Sequence, residues 1–165
     1  MNATRSALSV SLVAALAFVL PAAASAPRTA ASATAGAVVK TAYNAKLKTT
    51  ILVNAAGMTL YEFESDYQGQ PGCTNDSTYH CSKHWLPLLT AGMPRARGAA
   101  KQKLLGSVKR PDGKIQVSYK HRPVYTWRGG YGAPGDKKPG DVNGQGFGQL
   151  WYVLGPTGNV IKKQP

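Results

Sequence analysis

Between Lys114 and Lys120 the chain alternates strictly, with Ile115, Val117 and Tyr119 set between Lys114, Gln116, Ser118 and Lys120. A period of two puts successive side chains on opposite faces of an extended strand. The stretch therefore predicts a half-buried antiparallel strand, apolar residues inward and lysines in solvent. Ile51, Val53, Leu60, Tyr61 and Phe63 form shorter runs of the same kind, and turn residues separate the runs. Asn54-Ala-Ala-Gly57 and Lys120-His121-Arg122-Pro123 read as hairpin turns. Arg110-Pro-Asp-Gly113 reads as a tight turn in which Pro sets φ and Gly supplies a positive φ. Earlier strands are predicted near Val38 to Tyr43 and Leu104 to Lys109, and helix only as a turn or two near Tyr79 to Trp85. Gly and Pro together make up 29 of 165 residues, which excludes a helical bundle and fits many turns between short strands.

The pattern also repeats. At a shift of 64, Ile51, Val53, Leu60, Tyr61 and Phe63 fall on Ile115, Val117, Val124, Tyr125 and Trp127. With two more residues of shift, Trp85 and Leu88 fall on Trp151 and Leu154. Two copies of one antiparallel unit, about 37–90 and 103–160 with about four strands each, account for this register. Two four-stranded units cannot close a propeller. The expected fold is all-β, the copies forming a pseudo-twofold sandwich or small barrel within a single domain over 37–165.

The start of the chain has another character. Arg5 precedes a 14-residue apolar run, Ala7 to Leu20, then Pro21 and the small residues Ala22 to Ala26, the order of a secretory signal peptide over 1–26. The run is shorter than the roughly 20 residues a membrane-spanning helix needs. No cysteine precedes Cys73, so the chain is expected to be a free secreted or periplasmic protein without a lipid-anchoring cysteine. Residues 27–36, almost all Ala, Ser and Thr, hold little apolar surface to bury and read as a flexible linker.

Charge adds a partner class. Twenty Lys and Arg against seven Asp and Glu give +13, and removal of 1–26 takes away only Arg5. Ten bases, among them Lys114, Lys120, Arg122 and Arg128, crowd into 95–128 with Asp112 as the sole acid. Strand alternation places Lys114 and Lys120 in solvent, with Arg128 on the next strand. In an exported protein such a surface suits anionic envelope polymers or phospholipid head groups. No nucleic-acid motif accompanies it, so nucleic acid is not an expected partner.

Several motifs carry a resemblance: Tyr61-Glu-Phe63-Glu-Ser-Asp66; Cys73 and Cys81 followed by His84-Trp85-Leu-Pro87-Leu88; Gly135-Asp136-Lys-Lys-Pro-Gly140-Asp141-Val-Asn-Gly144-Gln-Gly146; and Trp151-Tyr-Val. Together they resemble the bacterial secreted repeat of unknown function, a family also described as lipoproteins with a YxFxxD motif. The resemblance runs from about Val38 onward. It implies an extracytoplasmic all-β domain with a duplicated core, and it transfers no catalytic residue. The chain departs from the family in lacking the anchoring cysteine and in its longer Cys73 to Cys81 spacing. The second motif reads Tyr125-Thr-Trp127-Arg-Gly-Gly130, its Asp displaced to Asp136 by the inserted Gly130-Tyr-Gly-Ala-Pro134.

Candidate sites follow from residue types. Cys73 and Cys81, an even pair in an exported chain, are expected to form a disulfide. On chain-entropy grounds that bridge is worth roughly 2.6 kcal/mol. The alternative is a metal-binding or redox module using Cys73, His80, Cys81 and His84, whose thiolates and imidazoles suit zinc or copper. Tyr61 and Phe63 are expected to pack in the core while Asp66 accepts backbone amides. Their functional alternative is a ligand rim made by Tyr61, Phe63 and Asp66 with Tyr125 and Trp127. Asp141-Val-Asn143-Gly-Gln145-Gly146 begins like a calcium loop but has Tyr152 where the twelfth-position Glu belongs, so a Gly-rich turn is expected and no cofactor is assigned. The chain has no Gly-x-Ser-x-Gly, HExxH or phosphate-cradling glycine loop, and the reading is a non-enzyme.

Overall fold

The computed structural model describes Met1 and residues 35–75 and 79–165. The chain divides into two units, Met1–Ala31 and Ser32–Pro165, and the elements given below, those of the described residues, belong to the second. Beyond Met1, the leader read over 1–26 lies outside the described residues, as do residues 27–34 of the linker.

In chain order the strands are β1 (Val38–Asn44), β2 (Thr49–Asn54), β3 (Tyr61–Phe63), β4 (Trp85–Pro87), β5 (Arg95–Ala96), β6 (Leu105–Lys109), β7 (Ile115–Tyr119), β8 (Arg122–Pro123), β9 (Tyr125–Trp127), β10 (Gly129–Gly130), β11 (Ala133–Pro134), β12 (Trp151–Leu154) and β13 (Val160–Ile161). One α-helical turn, α1 (Cys81–His84), stands where a helical turn was expected, and three short 3₁₀ turns complete the set.

The two long hairpins form as their turn residues dictate. β1 pairs antiparallel with β2 from Val39↔Asn54 to Asn44↔Thr49. Its turn is closed by the Leu47 amide donating to Asn44 Oδ1 at 3.0 Å. β6 pairs with β7 from Leu105↔Tyr119 to Lys109↔Ile115. There the Gly113 amide donates to the Arg110 carbonyl at 3.0 Å, with Gly113 at φ +80°.

At the centre lies a five-stranded sheet in the order β13-β12-β3-β9-β4. β3 and β9 meet at Tyr61↔Tyr125. On one side β12 pairs with β3 through Trp151↔Phe63, Tyr152↔Glu62 and Val153↔Tyr61. On the other, β4 pairs with β9 through Trp85↔Trp127, Leu86↔Thr126 and Pro87↔Tyr125.

Consecutive residues on these strands enter different cores. Val53, Tyr61, Tyr125 and Val153 join the cluster that holds Trp85, Trp127 and Trp151. Their neighbours Leu52, Leu60, Val124 and Leu154 join a second cluster with Val39, Val117 and Tyr119. Strands covered on both faces need apolar runs rather than alternation, which is why Ile51-Leu52-Val53 and Leu60-Tyr61 are continuous.

Two expectations are corrected. The small barrel gives way, among the described residues, to separate sheets of three, two, five and three strands with no closed barrel. Five strands are only two residues long. The short ladders are joined by turns at positive φ, as at Tyr131 and Gly132 between β10 and β11. The half-buried reading of β7 also fails: Gln116, Val117, Ser118 and Tyr119 are all buried, while Ile115 is 39% exposed.

Candidate functional site

At the middle of the central sheet two hydroxyls cross between distant parts of the chain. Tyr61 Oη donates to Asp136 Oδ2 at 2.7 Å, and Tyr125 Oη, from the opposing strand, donates to Asp66 Oδ2 at 2.9 Å. Each carboxylate also takes a backbone amide, Gly72 to Asp66 Oδ1 at 2.7 Å and Asn143 to Asp136 Oδ1 at 2.8 Å. The amide-accepting role expected of Asp66 is therefore present, with a tyrosine added.

Burial sets the protonation here. Desolvation raises the Asp66 carboxyl to about 7, against the lowering effect of the Gly72 amide and the Tyr125 hydroxyl. Asp136 is also raised, again chiefly by burial. Desolvation and the adjacent carboxylates push both tyrosines far above the usual phenol range, so they remain neutral donors. Tyr61, Tyr125 and Trp127 are all enclosed. Of the five residues drawn as a ligand rim, Phe63 and Asp66 are partly exposed and the other three are enclosed.

What does open is a neighbouring aromatic cleft of about 320 Å³, walled by Phe63, Trp85, Tyr131, Phe147, Leu150 and Trp151. Trp85 and Trp151 stack with centroids 3.8 Å apart and planes 1° from parallel, and Phe63 stacks on Trp151 at 4.3 Å. Gly144 permits this packing, because a Cβ there would sit 2.6 Å from Trp85 Cη2. The segment that begins like a calcium loop thus supports the tryptophans. Its oxygen-bearing side chains are engaged internally: Asp141 takes the Lys137 and Lys138 amides, and Gln145 bonds Val153, Ile161 and Lys163.

Cys73 and Cys81 are joined by a disulfide with Cα atoms 5.2 Å apart, closing the loop beside the cleft. The bridge takes both thiolates that the metal alternative requires. His84 Nδ1 donates to the Gly129 carbonyl at 2.8 Å and His80 Nδ1 to the Asn75 carbonyl at 3.0 Å. The four residues therefore do not converge as a ligand set, and no metal-holding group of three or more His, Cys, Asp or Glu occurs among the described residues.

Nine of the ten bases in the 95–128 window are exposed. The tenth, Arg110, is buried: its guanidinium donates to Gln116 Oε1 and, at 2.8 Å, to the Cys73 carbonyl. Arg122, placed on the basic surface by its sequence position, is paired with buried Glu62 at 2.8 Å. Lys114 lies 3.9 Å from Asp112. Lys101, Lys103 and Lys120 gather at one end of the β6–β7 hairpin. There the Lys101 amide donates to Tyr119 Oη and the Lys120 amide to the Leu104 carbonyl, both at 2.7 Å, while Lys103 and Lys120 line one small cleft.

Sequence reasoning missed the Arg110–Gln116 core contact and three cleft residues, Tyr131, Phe147 and Leu150. A signal for Tyr131 was present, since it sits between Gly130 and Gly132 in the insertion that displaces Asp136.

These features define a small-sheet, disulfide-closed all-β domain with an aromatic core. Residues 106–154, from β6 to the end of β12, match the family model described as a secreted repeat of unknown function. The match bears out the resemblance over that stretch, and the family's description as secreted supports an extracellular or envelope location. No curated protein and no solved structure gives a match.

Proposed function

We propose that this protein is an exported, non-catalytic binding module of the cell envelope, built from two copies of one β-unit about a pseudo-twofold axis. Its basic surface engages an anionic polymer or an anionic membrane surface. The observation that carries the binding role is an imbalance of pairing. Each of the six carboxylates among the described residues has an internal partner, whereas exposed Arg95, Arg97, Lys101, Lys103, Lys109, Lys120 and Arg128 form no ion pair there. Unpaired charge of one sign raises the local concentration of an oppositely charged partner.

The twofold reading is supported by register. Shifting Phe63, Glu62 and Tyr61 by 64 and Trp151, Tyr152 and Val153 back by 66 turns the β12–β3 pairs into the β4–β9 pairs. The crossed Tyr61–Asp136 and Tyr125–Asp66 bonds are exchanged by the same operation, once the insertion before Asp136 is allowed for. The non-catalytic reading is supported by the engagement of these four polar groups with one another in the sheet centre. Salt-dependent association of the protein with anionic vesicles, compared between variants of equal charge, tests the binding role.

A further inference from the structure

The aromatic cleft has properties that select among ligands. Trp151 is covered on one face by Trp85 and on the other by Phe63, so it offers no open indole face on which a sugar ring would stack. Among the described residues no carboxylate lines the cleft to hold a cation. Its walls are apolar and concave, the condition for taking up a hydrocarbon group.

One wall is held in place at a conformational cost. Tyr131 has φ 54°, a left-handed backbone that bulky residues avoid, between Gly130 at +142° and Gly132 at +80°. Its hydroxyl donates to the Tyr79 carbonyl at 2.8 Å, and its ring packs on His84 at 4.3 Å and near Phe147 at 5.8 Å. The ring is thus fixed at the cleft while 46% exposed, and Leu150, also lining the cleft, is 39% exposed. Two exposed bases lie on segments adjoining these walls without lining the cleft. Exposed Lys83 lies on α1, which contributes Cys81 to the wall, and the amide of exposed Arg128 donates to the His84 carbonyl at 2.8 Å.

We propose that the cleft binds a single hydrocarbon chain of an anionic lipid, with the charged head near Lys83 and Arg128. The 320 Å³ cleft is of the size that takes up a small apolar group or a stretch of hydrocarbon chain. This goes beyond the basic hairpin end, since Lys101, Lys103 and Lys120 do not line the cleft.

The three tryptophans, all in the core cluster beside the cleft, report on occupancy. The probes are straight-chain alkanoates of about 8 to 14 carbons, below their micelle concentrations, together with a dodecanoate carrying bromine at its chain end. The brominated chain should quench tryptophan fluorescence saturably. Affinity should rise about fourfold per methylene and level off once the cleft is full. Dodecyltrimethylammonium should bind at least tenfold more weakly than dodecanoate. Leu150→Gln and Tyr131→Gly should each weaken dodecanoate binding tenfold or more, the glycine suiting the backbone of position 131. Circular dichroism verifies that each variant is folded, and if one fails the other decides. Variants at Lys101, Lys103 and Lys120 should bind dodecanoate as the parent does, which separates this site from the basic surface. Absence of saturable quenching, affinity indifferent to chain length, or folded variants that bind unchanged would overturn the site. Equal binding of the cationic surfactant would overturn the anionic assignment.

Discussion

Tyr61 and Tyr125 stand directly opposite each other where β3 meets β9, and each sends its hydroxyl to a carboxylate from the other's stretch of chain. The proposed twofold relation implies equivalent energetics at the two positions. Tyr61→Phe and Tyr125→Phe should each lower stability by about 1.5–3 kcal/mol, the range for a buried hydrogen bond to a charged or charge-bearing group. Urea unfolding with an unchanged slope measures this. A neutral effect at one position and a large effect at the other would contradict the twofold relation.

The raised carboxyls give stability an unusual pH dependence. Between about pH 4, where an unfolded Asp loses its proton, and about 7, folded Asp66 retains a proton that the unfolded chain has released. Stability therefore falls as pH rises through that window, and the loss is complete above it. Glu62 and Asp136, also raised by burial, act in the same direction. The melting temperature should be higher at pH 5 than at pH 8, and Asp66→Asn should flatten the difference. A melting temperature that climbs from pH 5 to pH 8 would show that Asp66 is not held protonated.

Arg110 should be among the most sensitive positions outside the aromatic core. Arg110→Met should cost about 3 kcal/mol or more, because it strands the amide of Gln116 and the carbonyl of Cys73 in a buried setting. Arg110→Lys should recover little, since one ammonium cannot span both acceptors. Thermal denaturation of the two variants decides this, and a near-parental Arg110→Lys would show that charge alone matters there.

Arg110 also shows where the sequence stops being legible. Its turn is readable, because Pro111 and Gly113 determine the local backbone. Its burial is not, because the acceptor at Cys73 lies 37 residues away and a base in a basic window reads as solvated. Gln116 misleads in the same manner, a polar residue in an alternating run that satisfies its amide inside the core through Arg110 and Val124. The longer strands, the helical turn and the bridge were readable from period, turn residues and cysteine pairing, all local signals, whereas the two-residue strands β5, β10, β11 and β13 were not. Sheet closure was not readable either, since it depends on how far each ladder runs. The cleft depends on Tyr131, Phe147 and Leu150 converging with Phe63 and Trp85, a grouping that only long-range packing defines.

The bridge itself should be stoichiometric. Denatured, unreduced protein should contain no titratable thiol and weigh two hydrogens less than the reduced form. Replacing both cysteines with serine should lower stability by about 2–3 kcal/mol, as expected for a nine-residue loop. Two titratable thiols accompanied by stoichiometric zinc or copper would restore the metal alternative.

The most direct measurement of the binding role is association with vesicles containing anionic lipid across a salt series, run on three proteins. One is the parent. The second carries Lys101→Gln, Lys103→Gln and Lys120→Gln at the hairpin end, and the third carries Lys46→Gln, Lys48→Gln and Lys163→Gln, exposed positions outside the 95–128 window. Parent binding should weaken steeply between 0.01 M and 0.15 M salt, as the screening length falls from about 30 Å to about 8 Å. The hairpin-end variant should bind at least tenfold more weakly than the control variant at low salt, with both retaining the parent's melting temperature. Equal loss in the two variants would mean that binding follows net charge alone, and absence of any salt-dependent association would contradict the binding role itself.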